Sequence, residues 1–450
     1  MQMRLSRGAS QISLSGGYGS IMACTYLQAS TPQDVEETTE TVEVVLEGSQ
    51  AAMLADIRLI ETWLADAQRN QVERLVQDRI YLEWDVTDSG SWHRSEILSG
   101  RVERGGAFRW LASGASLFGL VITRRNFWEG TEAQIPLTNG NGTNNTSGLN
   151  VFNCNDGAGS SPNRRHNYAD IGAAAVGGTL PTPLRLEMTN LLDSTARISQ
   201  MVTALNSFSD PTNFLHIIEG ESAAAGGSNS ADSGSSGGFG RTFSWSGDNQ
   251  VLVGRWVLST TFLNQARGRW FKIWARTAGV LSNTRVQCRI TFPTGAPLTP
   301  VAISQEVLTS IHVSLQEIGT LQLPPWLMTA GGDLAPVDLS LYARCPGGGS
   351  FTIDYLQVTP LDGYRYLIPR GYGAAFQVRL VDDGIEQSLW TDGWSNPGKT
   401  GHYTALGERM FVQPGSAQRL LFLQMGSTGD AAITRVVNVK AFYRPRRWSL

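Results

Sequence analysis

The chain has 450 residues, 41% of them hydrophobic and 17% charged, with a formal net charge of −3. That length holds several domains with real cores. So small a charge leaves no basic field for nucleic acid and no acidic tail. No stretch approaches the roughly 20 apolar residues of a membrane span, and Met1–Leu14 lacks the apolar run of a signal peptide. The product is therefore expected to be soluble and made in the cytoplasm. Cys24, Cys154, Cys288 and Cys345 are widely scattered with no CxxC pair or Cys/His cluster, so no zinc site is expected. Free thiols are the default, with a disulfide left open. Only Lys272, Lys399 and Lys440 are lysines among the 36 basic residues. Arginine suits planar contacts at interfaces, though base composition is the plainer reading.

Residues 19–28 and 40–47 read as strands, joined by an acidic connection. Ser49–Asn70 follows as a long helix. Met53, Ile57, Ile60, Leu64 and Ala67 recur at three- and four-residue spacing and line one face, and Ser49 can cap the amino end. In RIYLEWDVTD, Ile80, Leu82, Trp84 and Val86 share one face of a half-buried strand. EILSGRVERG and SLFGLVITRR continue as strands and end at Asn126-Phe127-Trp128-Glu129-Gly130. A helix among strands must cover a sheet, which predicts an α+β domain over residues 1–135.

Residues 136–180 carry turn chemistry with almost no periodicity and are read as a linker or ordered loop. Asn141, Asn144 and Asn145 head N-x-[ST] triplets there, as chance allows in a segment so rich in Asn and Thr. Strands resume at Pro181, and residues 181–368 predict a β-sandwich of the jelly-roll kind. Within it Ala223–Gly240 is low in complexity and is expected to be a flexible surface loop. Residues 369–450 predict a C-terminal β unit, with LWTDGWSNPGKTGHYT as an aromatic loop. The fold class is thus mainly β with one long helix.

No chemistry-bearing constellation stands out. His93, His166, His216, His312 and His402 lie far apart, and a lone strand histidine is usually structural. There is no GxSxG, HExxH, P-loop or GxGxxG. The adjacent carboxylates Asp382-Asp383 and Glu36-Glu37 point apart on a strand or turn. No enzyme activity, cofactor or metal is expected. The aromatic residues say more. In RWFKIWART, Phe271, Ile273 and Ala275 form a core face, while Trp270, Lys272 and Trp274 form the other. Two indoles flanking a cation could stack a sugar ring and hydrogen-bond its hydroxyls. The competing reading packs that face under a loop or against a subunit. Trp390 and Trp394 have the same double reading.

Strand–helix–strand units ending in an arginine-rich strand and an aromatic-Trp-Glu-Gly turn, here ITRRNFWEG at Ile122–Gly130, resemble the distal tail and baseplate proteins of tailed phages. The likeness covers about residues 15–130 and implies a tail-ring-like domain that forms a homo-oligomeric ring, joining the tail tube to the adsorption apparatus and assembling with other tail proteins. FTIDYLQVTPL at Phe351–Leu361 and Asn167–Asn190 resemble parts of carbohydrate-binding jelly rolls, which some distal tail proteins carry as insertions. That resemblance implies contact with host surface polysaccharide; its binding residues do not transfer. Together these imply a structural virion protein of the tail, assembled in the host cytoplasm. The alternatives are a carbohydrate-binding protein or adhesin with no ring role and, on fold analogy alone, a polysaccharide-degrading enzyme. The tail VVNVKAFYRPRRWSL either returns to the first domain or docks on a neighbouring molecule, the latter being expected.

Overall fold

A computed structural model describes residues 2–28, 35–73, 78–103, 109–110, 115–140, 142–144, 147–153, 166–191, 198–206, 217–232, 234–280, 283–293, 299–309, 314–325, 335–369, 378–393, 396–426 and 432–450. The chain is mainly β, with two α-helices among the described residues. It divides into two compact units: Met1–Ala133 with Gly177–Thr182 and Arg444–Leu450, and Gln134–Val176 with Pro183–Tyr443.

The first unit runs β1 (Gln2–Arg7), β2 (Ser10–Ser13), β3 (Ile21–Tyr26), β4 (Glu37–Glu47), α1 (Gln50–Glu73), β5 (Ile80–Asp85), β6 (His93–Glu103), β7 (Arg109–Trp110), β8 (Ala115–Arg125) and β9 (Trp128–Glu129). Neighbouring strands follow the order β2-β1-β5-β6-β8-β4-β3. The amino-terminal hairpin has no counterpart in the sequence reading, although Met3 and Leu5 alternate and both are buried. In α1 the Ala52 N–H donates to the Ser49 hydroxyl at 3.3 Å, a side-chain cap. Met53, Ile57, Ile60, Leu64 and Ala67 are each at most 2% exposed and pack with strand residues such as Leu5, Val44, Leu82 and Phe118. Burial of each large aliphatic side chain there stabilises by about 1.5–3 kcal/mol. In β5, Ile80 and Leu82 are buried, but the alternation stops at Asp85. Its carboxylate turns inward and accepts the backbone N–H groups of Thr87, Ser89 and Gly90, so Val86 faces outward.

The carboxyl-terminal tail belongs to this unit, which corrects the expected docking on a neighbour. Arg446–Arg447 pairs antiparallel with β9. Arg446 donates to Glu129 Oε1 at 2.7 Å and lies over the Phe127 ring, and Gln28 donates to the Trp448 carbonyl at 2.9 Å. Gly178, at φ +101°, lets Thr179 N–H reach the Arg446 carbonyl at 2.8 Å; a Cβ there would sit 2.6 Å from that oxygen.

The second unit departs from the expected layout. One sheet runs Val436–Tyr443, Arg185–Asn190, Arg379–Asp383, Ser388–Gly393, Asn396–His402. Another runs Gly142–Asn144, Leu137–Asn139, Tyr168–Ile171, Gln418–Met425, Gln200–Asn206, Tyr364–Ile368, Thr404–Gly407. Described residues within 136–180 thus supply ladder strands rather than only a linker or ordered loop, and strands after 369 pair with strands before 207 rather than forming a separate unit. LWTDGWSNPGKTGHYT is mostly a pair of strands. The described residues between 217 and 360 form a sandwich of their own, inserted between Gln200–Asn206 and Tyr364–Ile368. Its sheets are ordered Ser228–Ala231, Phe239–Trp245, Gly349–Pro360, Trp270–Val280, Ser314–Gln322 and Val251–Val257, Asp338–Arg344, Arg285–Thr291, Pro300–Ile303. Phe243, Trp256, Phe271, Ile273, Val286 and Leu341 are among the residues in the core between them. Within the low-complexity segment, the exposed strand Ser228–Ala231 pairs with Phe239–Trp245, and Ser235 and Ser236 are fully buried.

Candidate functional site

The strand Trp270–Val280 carries the residues singled out in the sequence. It follows α2 (Thr260–Ala266), whose start is capped by Ser259 accepting the Phe262 N–H at 3.2 Å. Phe271, Ile273 and Ala275 enter the sandwich core at 3%, 2% and 0% exposure. The opposite face is where Trp270, Lys272 and Trp274 lie, and their environments diverge.

Trp270 is 51% exposed. Lys272 is held: its Nζ lies 2.6 Å from Glu317 Oε2 and 5.2 Å over the Tyr364 ring, while Glu317 Oε1 accepts the Thr320 hydroxyl at 3.2 Å. Trp274 is buried at 5%. A bulge shifts the register so that Ile273 opposes Gly319 and Trp274 opposes Glu317. The indole stacks on Tyr364, with ring centroids 6.4 Å apart and planes at 20°, and lies 6.3 Å from the Tyr366 ring. Val202, Leu315, Tyr355, Leu423 and Met425 complete that cluster. Trp274 is therefore the apolar seam between the inserted sandwich and the sheet that holds Tyr364, and the pair of indoles flanking a cation is not assembled as an open platform. Burial, with Glu317 and Tyr366 nearby, pushes the Tyr364 phenol well above its usual value.

Trp390 is buried on Ser388–Gly393, with the Arg379 guanidinium 5.9 Å from its ring centroid. Trp394 lies outside the described residues. Of the five aromatic and basic candidates, Trp270 alone among the described residues offers a half-open ring. Glu317, Tyr364 and Tyr366 were missed in the sequence. The i, i+2 spacing in Tyr364-Arg365-Tyr366 was the signal, since it places both phenols on one strand face.

Several other titratable groups among the described residues are committed to structure. Asp354, within FTIDYLQV, is fully buried and meets Arg276 Nη1 at 2.5 Å and the Ser236 N–H at 2.7 Å. Asp382 and Asp383 diverge: the first pairs with Arg365, and the second accepts the Ile385 and Glu386 N–H groups. Burial and the nearby Arg447 hold His93 below the usual imidazole value. His216 and His312 lie outside the described residues. Cys24, Cys288 and Cys345 are free thiols, and Cys154 lies outside the described residues. No group of three or more His, Cys, Asp or Glu among the described residues is arranged to hold a metal ion. No helix of the described residues is long and apolar enough to cross a membrane.

No protein-family model matches the chain, and no curated protein matches it. Among solved structures it is similar to chains from the phage p2 baseplate in its activated conformation, with strontium (9% identity, 78% of this chain and 97% of that chain, TM-score 0.18) and with calcium (9%, 79% and 97%, 0.19). It is also similar to the VP2 subviral particle of infectious bursal disease virus (9%, 70% and 80%, 0.16). Likenesses of this size bear on neither the fold nor the function of this chain.

Proposed function

We propose that this chain is a structural protein of a tailed-phage virion, a distal tail or baseplate component that acts by self-assembly and not by catalysis. The observation that carries the reading is β3. It closes the sheet path of the first unit and, among the described residues, pairs with no strand but β4, with one further bridge from Ile21 to Tyr18. Met22 on that edge and Leu27 just beyond it are 52% and 83% exposed. An edge strand with exposed apolar side chains invites pairing with another chain. A second copy of this chain is the partner that builds a ring. The ITRRNFWEG phrase and its α+β setting support the tail assignment. Immunogold labelling of virions tests it: label at the tail tip is expected, and particles without this protein contradict it.

A second reading, binding of host glycan by the inserted sandwich, is favoured by one feature. Trp270, half exposed, lies two residues from the paired Lys272 on the same strand face. Glycan binding abolished by Trp270→Ala supports it, and binding unchanged by that substitution removes this site.

A further inference from the structure

The second unit contains a cleft just beyond the end of the FTIDYLQVTPL phrase, with Asp362 in its wall. Its floor is Arg365, 8% exposed on Tyr364–Ile368. The guanidinium reaches across to the neighbouring sheet and takes both carboxylate oxygens of Asp382, at 2.5 and 3.1 Å, and donates to the Gly407 carbonyl at 3.3 Å. Above it opens a space of about 480 Å³, walled by Asp362, Gln387, Gly407, Glu408, Arg409 and Phe411.

We propose that this cleft binds an uncharged saccharide. The volume lies within the ~300–1,000 Å³ of small-molecule sites, but the walls are polar where such sites are mostly apolar. Arg365 is charge-compensated by Asp382, and Arg409 shares the walls with the carboxylates of Asp362 and Glu408, so neither an anion nor a cation finds a one-signed field. Guanidinium donors and carboxylate acceptors stand together, which suits hydroxyl groups that donate and accept at once. Phe411 adds a ring 37% exposed with the Arg409 guanidinium carbon 5.9 Å from its centroid, so an apolar surface for the C–H face of a pyranose stands beside a donor for its hydroxyls. Two backbone features keep the walls in place. Gly407, at φ +92°, admits no side chain, since a Cβ would lie 2.1 Å from the Tyr364 carbonyl oxygen. Gln387 takes the left-handed conformation at φ +57°, uncommon outside glycine. Trp270 does not line the cleft, although its neighbour Arg269 pairs with the wall residue Asp362 at 3.8 Å, and the proposal does not depend on the tail assignment.

Calorimetry on the full chain tests the proposal, with trisaccharides of glucose, galactose and N-acetylglucosamine as probes and glucuronate and inorganic phosphate as charged comparators. At least one neutral trisaccharide is expected to bind with millimolar or tighter affinity. Phe411→Ala and Arg409→Ala should each weaken it about tenfold or more, as loss of one stacking surface or one charged hydrogen bond implies. Trp270→Ala should leave it unchanged. In the unaltered chain, the same sugar should slow amide exchange over residues 404–412. Absence of binding by all three sugars, binding indifferent to both cleft substitutions, or tighter binding of phosphate or glucuronate would each overturn the assignment.

Discussion

Arg124 and Glu40 face each other inside the first unit as a bidentate pair, Nε to Oε2 at 2.6 Å and Nη2 to Oε1 at 2.9 Å, with side chains 1% and 2% exposed. Tyr26 donates its hydroxyl to the same carboxylate at 2.6 Å, and the Arg124 guanidinium carbon lies 4.4 Å from the Trp128 ring centroid. The ITRRNFWEG phrase is thus a buried lock: Arg124 and Trp128 close the sheet from within, whereas Arg125 is partly exposed beside Glu36 and Glu37. Glu40→Ala strands a buried guanidinium and should cost about 3–5 kcal/mol in denaturant unfolding of the first unit. Arg125→Ala should cost under about 1 kcal/mol. Equal losses from the two substitutions would contradict the lock.

The helix gives a second contrast. Ile57→Asp places a carboxylate where α1 meets the sheet, at 2% exposure, and should abolish folding of the first unit. Leu54, 39% exposed on the same helix, should accept Asp with a loss within about 0.5 kcal/mol. Hydrogen exchange read unit by unit checks this, with residues 217–360 remaining protected in Ile57→Asp.

Trp274→Ala removes the indole from the seam against Tyr364 and should destabilise the second unit by about 3–5 kcal/mol. Trp270→Ala, on the same strand face, should change stability by no more than about 0.5 kcal/mol. Thermal unfolding of the two variants separates a seam residue from a surface residue. Comparable melting shifts would show that Trp274 has no such role.

Asp354 carries a pH signature. Burial pushes its carboxyl up to about 6, and Arg276 opposes that push. The folded protein therefore holds this proton where the unfolded chain, near 3.8, has released it. The associated stability is fully present below the unfolded value and is lost as pH rises from about 4 through about 6, on the order of 2–3 kcal/mol. Asp354→Asn should flatten that segment of the unfolding profile relative to the unaltered chain. A slope that persists in the variant would place the titration elsewhere.

What the sequence disclosed follows from the range of the interactions involved. The face of α1 is local, set by side chains three and four residues apart, and it was legible down to individual positions. The face of Trp270–Val280 was legible as well, because Phe271, Ile273 and Ala275 obey a period of two. What packs on its other side was not. Trp274 meets Tyr364 and Leu423, residues 90 or more positions away, and no local pattern distinguishes an indole in an internal seam from one awaiting a ligand. The same holds for the strands after 369, whose partners precede residue 207 with an entire sandwich lying between. Asp85 shows the opposite failure, in which a local turn captured a carboxylate and ended an alternation that otherwise read on to Val86.

Assembly through the edge of the first unit is read in the oligomeric mass of the purified full chain. Light scattering coupled to size exclusion at micromolar concentration, with negative-stain imaging of the same fraction, should show a closed ring of copies. Met22→Lys and Leu27→Lys together should reduce it to single chains with unchanged far-ultraviolet dichroism. A monomer in the unaltered protein, or a ring that survives both substitutions, would contradict it.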